Sequence, residues 1–169
     1  MNSFNSLAAL RYSCRSYKPD AVGEAETNQL LEAARLAPSA CNRQPWRFMV
    51  IGPDNAEGRA AVSAAYPREW VGTAPYYIVV CGVPAEAWVR PADGHNHVDV
   101  DIAIATEHIC LAATAMGLAT CWICNFDPAV LKEKLALPEG VEPMVILPVG
   151  HPADTEPEKR RKNLADILL

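Results

Sequence analysis

Several chemistries are missing from this chain as a sequence. No glycine-rich turn follows an apolar strand to open a helix, so neither the dinucleotide fingerprint nor the Walker phosphate loop is present. No Gly-x-Ser-x-Gly elbow or comparable nucleophile motif stands out. No apolar run approaches the length needed to span a membrane. The start, Met1-Asn2-Ser3-Phe4-Asn5-Ser6, lacks the basic stretch and apolar core of a signal peptide. These absences lead us to expect a soluble, cytoplasmic protein with no membrane partner. Positive charge is also scarce: 15 Lys and Arg stand against 20 Asp and Glu, a net charge of −5. A mildly acidic chain has no general attraction for nucleic acid, so an anionic ligand would need a local basic cluster.

What is present is globular. Of 169 residues, 50% are hydrophobic and 21% charged, enough to bury a core without a covalent staple. With no repeat or linker, residues 1–169 read as a single domain. The six cysteines, Cys14, Cys41, Cys81, Cys110, Cys121 and Cys124, read as reduced thiols more readily than as a disulfide framework.

Periodicity predicts a short helix over Ser3–Leu10, with Phe4, Leu7, Ala8 and Leu10 available for burial. Arg11–Pro19 reads as extended. Glu24–Leu36 is a helix with Leu30, Leu31 and Ala34 on its apolar face, ending near Pro38. Trp46–Ile51, Tyr76–Cys81, Thr120–Ile123 and Met144–Val149 read as strands. Asp54 with Glu57 resembles a capping box, and Asp127 caps a short helix that opens on Pro128. Pro84–His97 is irregular. The helix from about Val98 to Met116, stopped by Gly117, is apolar on most of its circumference, which hints at a subunit interface. The tail from His151 to Asn163 is polar, and Leu164, Ile167, Leu168 and Leu169 are apolar again, so the 151–169 arm is expected to pack on something, such as a second subunit.

Three segments could carry chemistry. In an extended Arg11-Tyr12-Ser13-Cys14-Arg15, the side chains of Arg11, Ser13 and Arg15 share a side. Two guanidinium groups flanking a hydroxyl suit a phosphate. Spacing alone more often means a solvated basic stretch. In Pro38-Ser39-Ala40-Cys41-Asn42-Arg43-Gln44-Pro45, Asn42 and Gln44 share a face if the chain is extended. Carboxamides both donate and accept, the mixture a flavin edge needs, and the prolines stiffen the loop. A polar turn before a strand is the plainer reading. Lys159-Arg160-Arg161-Lys162 is the one dense basic cluster, which as a run is usually a solvated tail.

Cys121-Trp122-Ile123-Cys124 permits a dithiol or half a zinc site, but its place in a predicted strand favours neither. His95-Asn96-His97 with Asp99 permits a metal, though a polar loop accounts for it as well.

Taken in order, these segments resemble the flavin-dependent nitroreductase family. The resemblance runs through Arg11-Tyr12-Ser13-Cys14-Arg15, Ala33-Ala34-Arg35-Leu36-Ala37-Pro38-Ser39, Asn42-Arg43-Gln44-Pro45-Trp46, Val98-Asp99, Leu111-Ala112-Ala113, Gly117-Leu118, Phe126-Asp127-Pro128 and Pro148-Val149-Gly150-His151-Pro152. It implies an α+β fold, with a mainly antiparallel central sheet flanked by helices, in an intertwined homodimer with FMN at the interface. Arg11, Tyr12, Ser13 and Arg15 would then hold the FMN phosphate and ribityl chain, with Lys159 and Arg161 joining at the phosphate. Pro38, Ser39, Asn42 and Gln44 would contact the flavin from the other subunit, and Ile123, Cys124 and Asn125 would lie beside its ring. The implied activity is two-electron transfer in ping-pong order from NADH or NADPH to a small acceptor such as a nitroaromatic or quinone. An oxidase or dehalogenase of the same fold, or a non-catalytic flavin-binding module, is the alternative. Relatives often have glycine where Asn125 stands, and glutamate or glycine near Cys124, so the pocket at the ring departs from the pattern.

Overall fold

A computed structural model describes residues 3–169. The reading of the chain's start rests partly on Met1 and Asn2, which lie outside the described residues.

Four strands form one antiparallel sheet in the order β1-β2-β4-β3, with β1 Trp46–Ile51, β2 Tyr76–Gly82, β3 Ala119–Thr120 and β4 Glu142–Gly150. β2 is buried along its whole length, and period-two alternation divides its side chains between two cores. Tyr76, Ile78 and Val80 face one core, and Tyr77, Val79 and Cys81 face the other. β4 divides in the same way, sending Val145, Leu147 and Val149 one way and Ile146 the other.

The first core is closed by α2 (Glu24–Arg35) and α4 (Val98–Ala115), through Leu30, Ala34, Ile102, Ala105 and Ile109. The second is closed by α3 (Ala56–Ala65) and α5 (Pro128–Lys134), through Val62 and Leu131. The sheet thus lies between two helical layers, the α+β architecture expected. At Gly82 an added Cβ would stand 2.4 Å from Met144 Sδ and 2.7 Å from Val98 Cγ2. The missing side chain is therefore what lets the start of α4 approach the sheet.

Local expectations were met unevenly. Asp127 caps α5, accepting from Ala129 and Val130 N–H, with Pro128 at the first position. Gly117 takes φ 74° just past α4. The cap of α3 is Asn55, not Asp54: its carboxamide oxygen accepts from Gly58 N–H at 2.8 Å. α1 (Phe4–Leu10) forms where expected, but it buries none of its residues, and Phe4 is 70% exposed. The strand expected over Thr120–Ile123 is broken: only Ala119–Thr120 joins β4 as a ladder, and Ile123 makes a separate bridge to Ile146.

All six cysteines are free thiols. Among the described residues no helix is long and apolar enough to cross a membrane.

Candidate functional site

Residues 11–18 form no strand of the sheet, but isolated bridges hold them on two sides. Ser13 bridges Thr120 in parallel, and Cys14 N–H donates to Thr120 O at 3.0 Å. Tyr17 bridges Pro152, while Lys18 N–H donates to His151 O and Ala153 N–H to Ser16 O. The chain leaving β4 is thereby stitched to the N-terminal segment. Cys14 and Tyr17 are buried and Arg15 is exposed, while Arg11, Tyr12 and Ser13 are all half-buried, so the strict alternation expected of an extended segment is not seen.

Asp154 locks this junction. One carboxylate oxygen accepts from Tyr12 OH at 2.9 Å and Cys14 Sγ at 3.0 Å, and the other accepts from Arg15 N–H at 2.7 Å. Burial pushes the Asp154 carboxyl up, but these hydrogen bonds outweigh it and leave the group below its ordinary range. Burial, reinforced by Asp154, pushes the Cys14 thiol up to about 11 and raises Tyr12 as well.

Beyond the lock, the tail turns back over residues 11–15 and encloses a cavity of about 230 Å³. Arg11, Tyr12, Ser13 and Arg15 line one side, with Pro157, Glu158, Lys159, Arg160 and Arg161 on the other. Five cationic residues against one acidic residue, Glu158, line this cavity on an acidic chain. Some are paired: Arg11 Nε lies 3.2 Å from Glu107 Oε1, and Lys159 contacts Glu156. Among the described residues, Arg15 and Arg161 have no carboxylate within ion-pair distance, and each guanidinium donates only to a carbonyl of its own segment. Arg15 also sits 6.0 Å from the ring centroid of Trp70. Arg160 likewise has no carboxylate within ion-pair distance among the described residues, and three uncompensated guanidinium groups in one cavity fit an oxyanion such as a phosphate.

The loop before β1 is built differently. Cys41, Asn42 and Gln44 all take left-handed φ, at 51°, 53° and 52°, and none is glycine. The extended run expected here is therefore replaced by a tight turn. Pro45 disfavours the right-handed helical region for Gln44, and Ser39 Oγ accepts from Gln44 N–H at 2.9 Å, drawing the chain back on itself. The two carboxamides still meet: Gln44 Nε2 donates to Asn42 Oδ1 at 3.0 Å. Pro38, Asn42 and Gln44 are exposed and Ser39 half-buried.

The third segment leaves the sheet beside the strand that Ser13 bridges. Ile123 is buried, while Cys124 and Asn125 are exposed. Trp122 Nε1 donates to Cys124 Sγ at 3.0 Å, whereas Cys121 is buried. The two thiols of this motif thus occupy opposite environments. Among the described residues no group of three or more His, Cys, Asp or Glu side chains is placed to hold a metal ion.

The fold therefore unites Arg11, Tyr12, Ser13, Arg15, Lys159 and Arg161 in one cavity. Neither Pro38, Ser39, Asn42 and Gln44 nor Ile123, Cys124 and Asn125 line it. Sequence reasoning missed Asp154 and Glu107, neither of which belongs to a motif.

An antiparallel sheet between two helical layers, with a basic cradle where residues 11–15 meet residues 157–161, defines an α+β protein suited to a phosphorylated ligand. More narrowly, the chain belongs to the nitroreductase family, whose model matches residues 8–151. It is 30% identical over 155 residues to an Archaeoglobus fulgidus protein provisionally named NADH dehydrogenase/NAD(P)H nitroreductase, covering 85% of this chain and 82% of that one. A crystal structure of a nitroreductase family protein from Clostridium difficile 630 matches with a TM-score of 0.91 at 38% identity, over 100% of this chain and 98% of that one. A provisionally named nitroreductase from Desulfovibrio desulfuricans, solved in complex with FMN, matches with a TM-score of 0.86 at 28% identity, over 100% of this chain and 96% of that one.

Proposed function

We propose that this chain is an FMN-dependent oxidoreductase using NADH or NADPH, acting as a homodimer. The observation that carries the reading is the cradle, in which Arg15 and Arg161 lack carboxylate partners among the described residues and line one cavity together with Ser13. Its charge and hydrogen-bond donors fit the phosphate of FMN, and the FMN complex of the Desulfovibrio desulfuricans relative supports that choice of ligand. When bound, FMN would supply the hydride chemistry for two-electron transfer, in ping-pong order, from NADH or NADPH to a small acceptor such as a nitroaromatic or quinone.

The chain's residues bind and orient. Arg11, Arg15, Lys159 and Arg161 neutralise the phosphate, and Tyr12 and Ser13 line its approach. Pro38, Ser39, Asn42 and Gln44, reaching across from the partner subunit, present the mixed donors and acceptors that a flavin edge requires. Ile123, Cys124 and Asn125 lie beside the ring. The exposed Leu164, Ile167, Leu168 and Leu169 cover their apolar surface on the partner, making 151–169 an arm of one domain rather than a second unit. Free thiols at all six cysteines suit a reducing compartment such as the cytoplasm.

The test is direct. The purified chain should be yellow or take up FMN, sediment as a dimer, and oxidise NADH or NADPH with nitroaromatic or quinone acceptors, giving parallel double-reciprocal lines. A colourless protein that binds no added FMN overturns the reading.

A further inference from the structure

Asp101 stands in the first turn of α4 and is only 1% exposed. One of its carboxylate oxygens accepts from Ala40 N–H at 2.8 Å. The other, Oδ2, is buried with no hydrogen-bond partner among the described residues. Burying a carboxylate whose hydrogen bonding is half met is costly. The start of α4 lowers that cost, because the helix dipole favours negative charge there, but a neutral apolar side chain would fill the space at less expense to the fold.

The position of that cost is informative. Every other hydrogen bond of residues 39–44 is internal to the segment: Asn42 to Ser39, Arg43 to Ala40, Gln44 to Ser39 and Gln44 to Asn42. Asp101 makes the one hydrogen bond that ties this turn to another element, among the described residues. The same turn holds three non-glycine residues at left-handed φ, a conformation that persists only where the surroundings over-determine it.

We propose that Asp101 is a positioning residue: its carboxylate, fixed on α4, holds the turn at 39–44 in the shape that presents Ser39, Asn42 and Gln44 to the flavin. The inference rests on the reading that this turn meets the flavin ring. It assigns the buried acid of α4 to cofactor recognition through Ala40 N–H, with no direct contact to the ligand.

Two substitutions remove the same hydrogen bond from opposite ends. Asp101→Ala removes the acceptor. Ala40→Pro removes the donor without touching α4, and Ser39 already has the extended backbone, φ −137° and ψ 159°, that a following proline requires. Asp101→Asn keeps an oxygen for Ala40 N–H while discharging the group. The affinities of the full-length protein for FMN and for riboflavin are measured by flavin fluorescence quenching, together with the visible circular dichroism of bound flavin and Tm. Loss of a hydrogen bond to a charged group gives an expected weakening of about tenfold for Asp101→Ala and for Ala40→Pro. Because the turn serves the ring and not the phosphate, FMN and riboflavin should weaken in parallel. The double variant should bind no more weakly than the weaker single, and Asp101→Asn should bind within about threefold of the parent and melt no lower.

Unchanged flavin affinity and dichroism in folded Asp101→Ala overturn the assignment. So does an Asp101→Asn variant as impaired as Asp101→Ala, or a loss confined to FMN with riboflavin unaffected. If Asp101→Ala does not fold, Ala40→Pro and Asp101→Asn decide alone by the same criteria. A parent protein that binds neither flavin overturns the functional reading itself, an outcome distinct from an intact parent with indifferent variants.

Discussion

The cradle and the turn at 38–44 solve opposite problems. The cradle joins segments nearly the length of the chain apart and crowds like charges together. It therefore needs a scaffold, supplied by the pairing of residues 14–18 with Thr120 and with residues 151–153, and by Asp154. The turn is contiguous and carries almost no charge. Its own side chains hold its internal shape, and one carboxylate from α4 anchors it. The difference separates two components of recognition. Opposed charge gives affinity for any ligand with a phosphate, whereas a fixed pattern of donors and acceptors selects the group to which that phosphate is attached.

The sharpest way to break this comparison is to strip two of the unpaired cations. Arg15→Ala combined with Arg161→Ala should weaken FMN binding by about a hundredfold or more, since each removes hydrogen bonds to a charged group, and should leave riboflavin binding nearly unchanged. Titration of both flavins at low and high salt checks this, and the FMN loss should be larger at low ionic strength. Equal losses for both flavins would mean that the cradle is not a phosphate site.

A second contrast lies in the thiols. Cys14, fully buried beneath the cradle, is pushed up to about 11, and burial likewise raises Cys81 to about 11 and Cys110 to about 12. Cys41 on the turn and Cys124 beside Trp122 are exposed. Near pH 8 an alkylating reagent should therefore modify the exposed Cys41 and Cys124 first, while the shift of Cys14 from 9.0 to about 11 alone cuts that residue's own thiolate fraction by about a hundredfold. Peptide mapping over time reads this out. Added FMN should slow Cys41 and Cys124 if their segments meet the flavin ring, and fast labelling of Cys14 would mean that the junction beneath the cradle is open. The sign for stability follows. A thiol raised on folding contributes stability that is complete below its unfolded value and is lost as pH climbs through the folded one, here from about 9 to about 11 for Cys14.

Asp154→Ala should cost about 2 kcal/mol by leaving Arg15 N–H and the Tyr12 hydroxyl without their acceptor, or about 4–8 °C in Tm for a chain of this size. Its pH dependence has the opposite sign to that of Cys14. The folded carboxyl lies below its ordinary value, so its contribution is complete above the ordinary carboxylate range and fades as pH falls below about 4. Thermal melts of parent and variant should converge in acid. A constant gap down to pH 2 would assign the effect to packing and not to the ionised group.

The two regions also differ in how much of each can be read from residues alone. The cradle is legible because it is built from contrast: basic residues at period two, and a basic run, on an acidic chain. Asp154 is not legible, because one acid in a polar tail carries no periodicity, and its role arises only when the tail pairs with residues 15–18. The sheet and its flanking helices follow from apolar periodicity, and β2 from its unbroken apolar run. The left-handed turn at Cys41, Asn42 and Gln44 was hidden for a physical reason. Such φ values usually announce themselves as glycine, and here side-chain and α4 contacts hold ordinary residues in their place. Asp101 was hidden likewise, as one of several acids on a helix whose apolar side draws attention. Asn55 took the cap from Asp54 by a one-residue offset, a choice that local composition does not make.

The smallest effect tests whether the strain of the turn is used. Cys41 and Ala136 both take left-handed φ, at 51° and 48°. Ala136 lies just past α5, where its N–H donates to Glu133 O in a helix-terminating turn remote from the cradle. A left-handed non-glycine residue costs about 1–2 kcal/mol, and glycine returns part of that gain as greater freedom of the unfolded chain. Cys41→Gly and Ala136→Gly should therefore each stabilise by about 0.5–1 kcal/mol, raising Tm by about 2 °C. Ala136→Gly should leave flavin binding untouched. Cys41→Gly should weaken both FMN and riboflavin a few-fold, because a relaxed turn no longer holds Asn42 and Gln44 in one arrangement. A gain in Tm with full flavin affinity would show that the strain at Cys41 is incidental, and that the turn's shape is set by Ser39 and Asp101 without it.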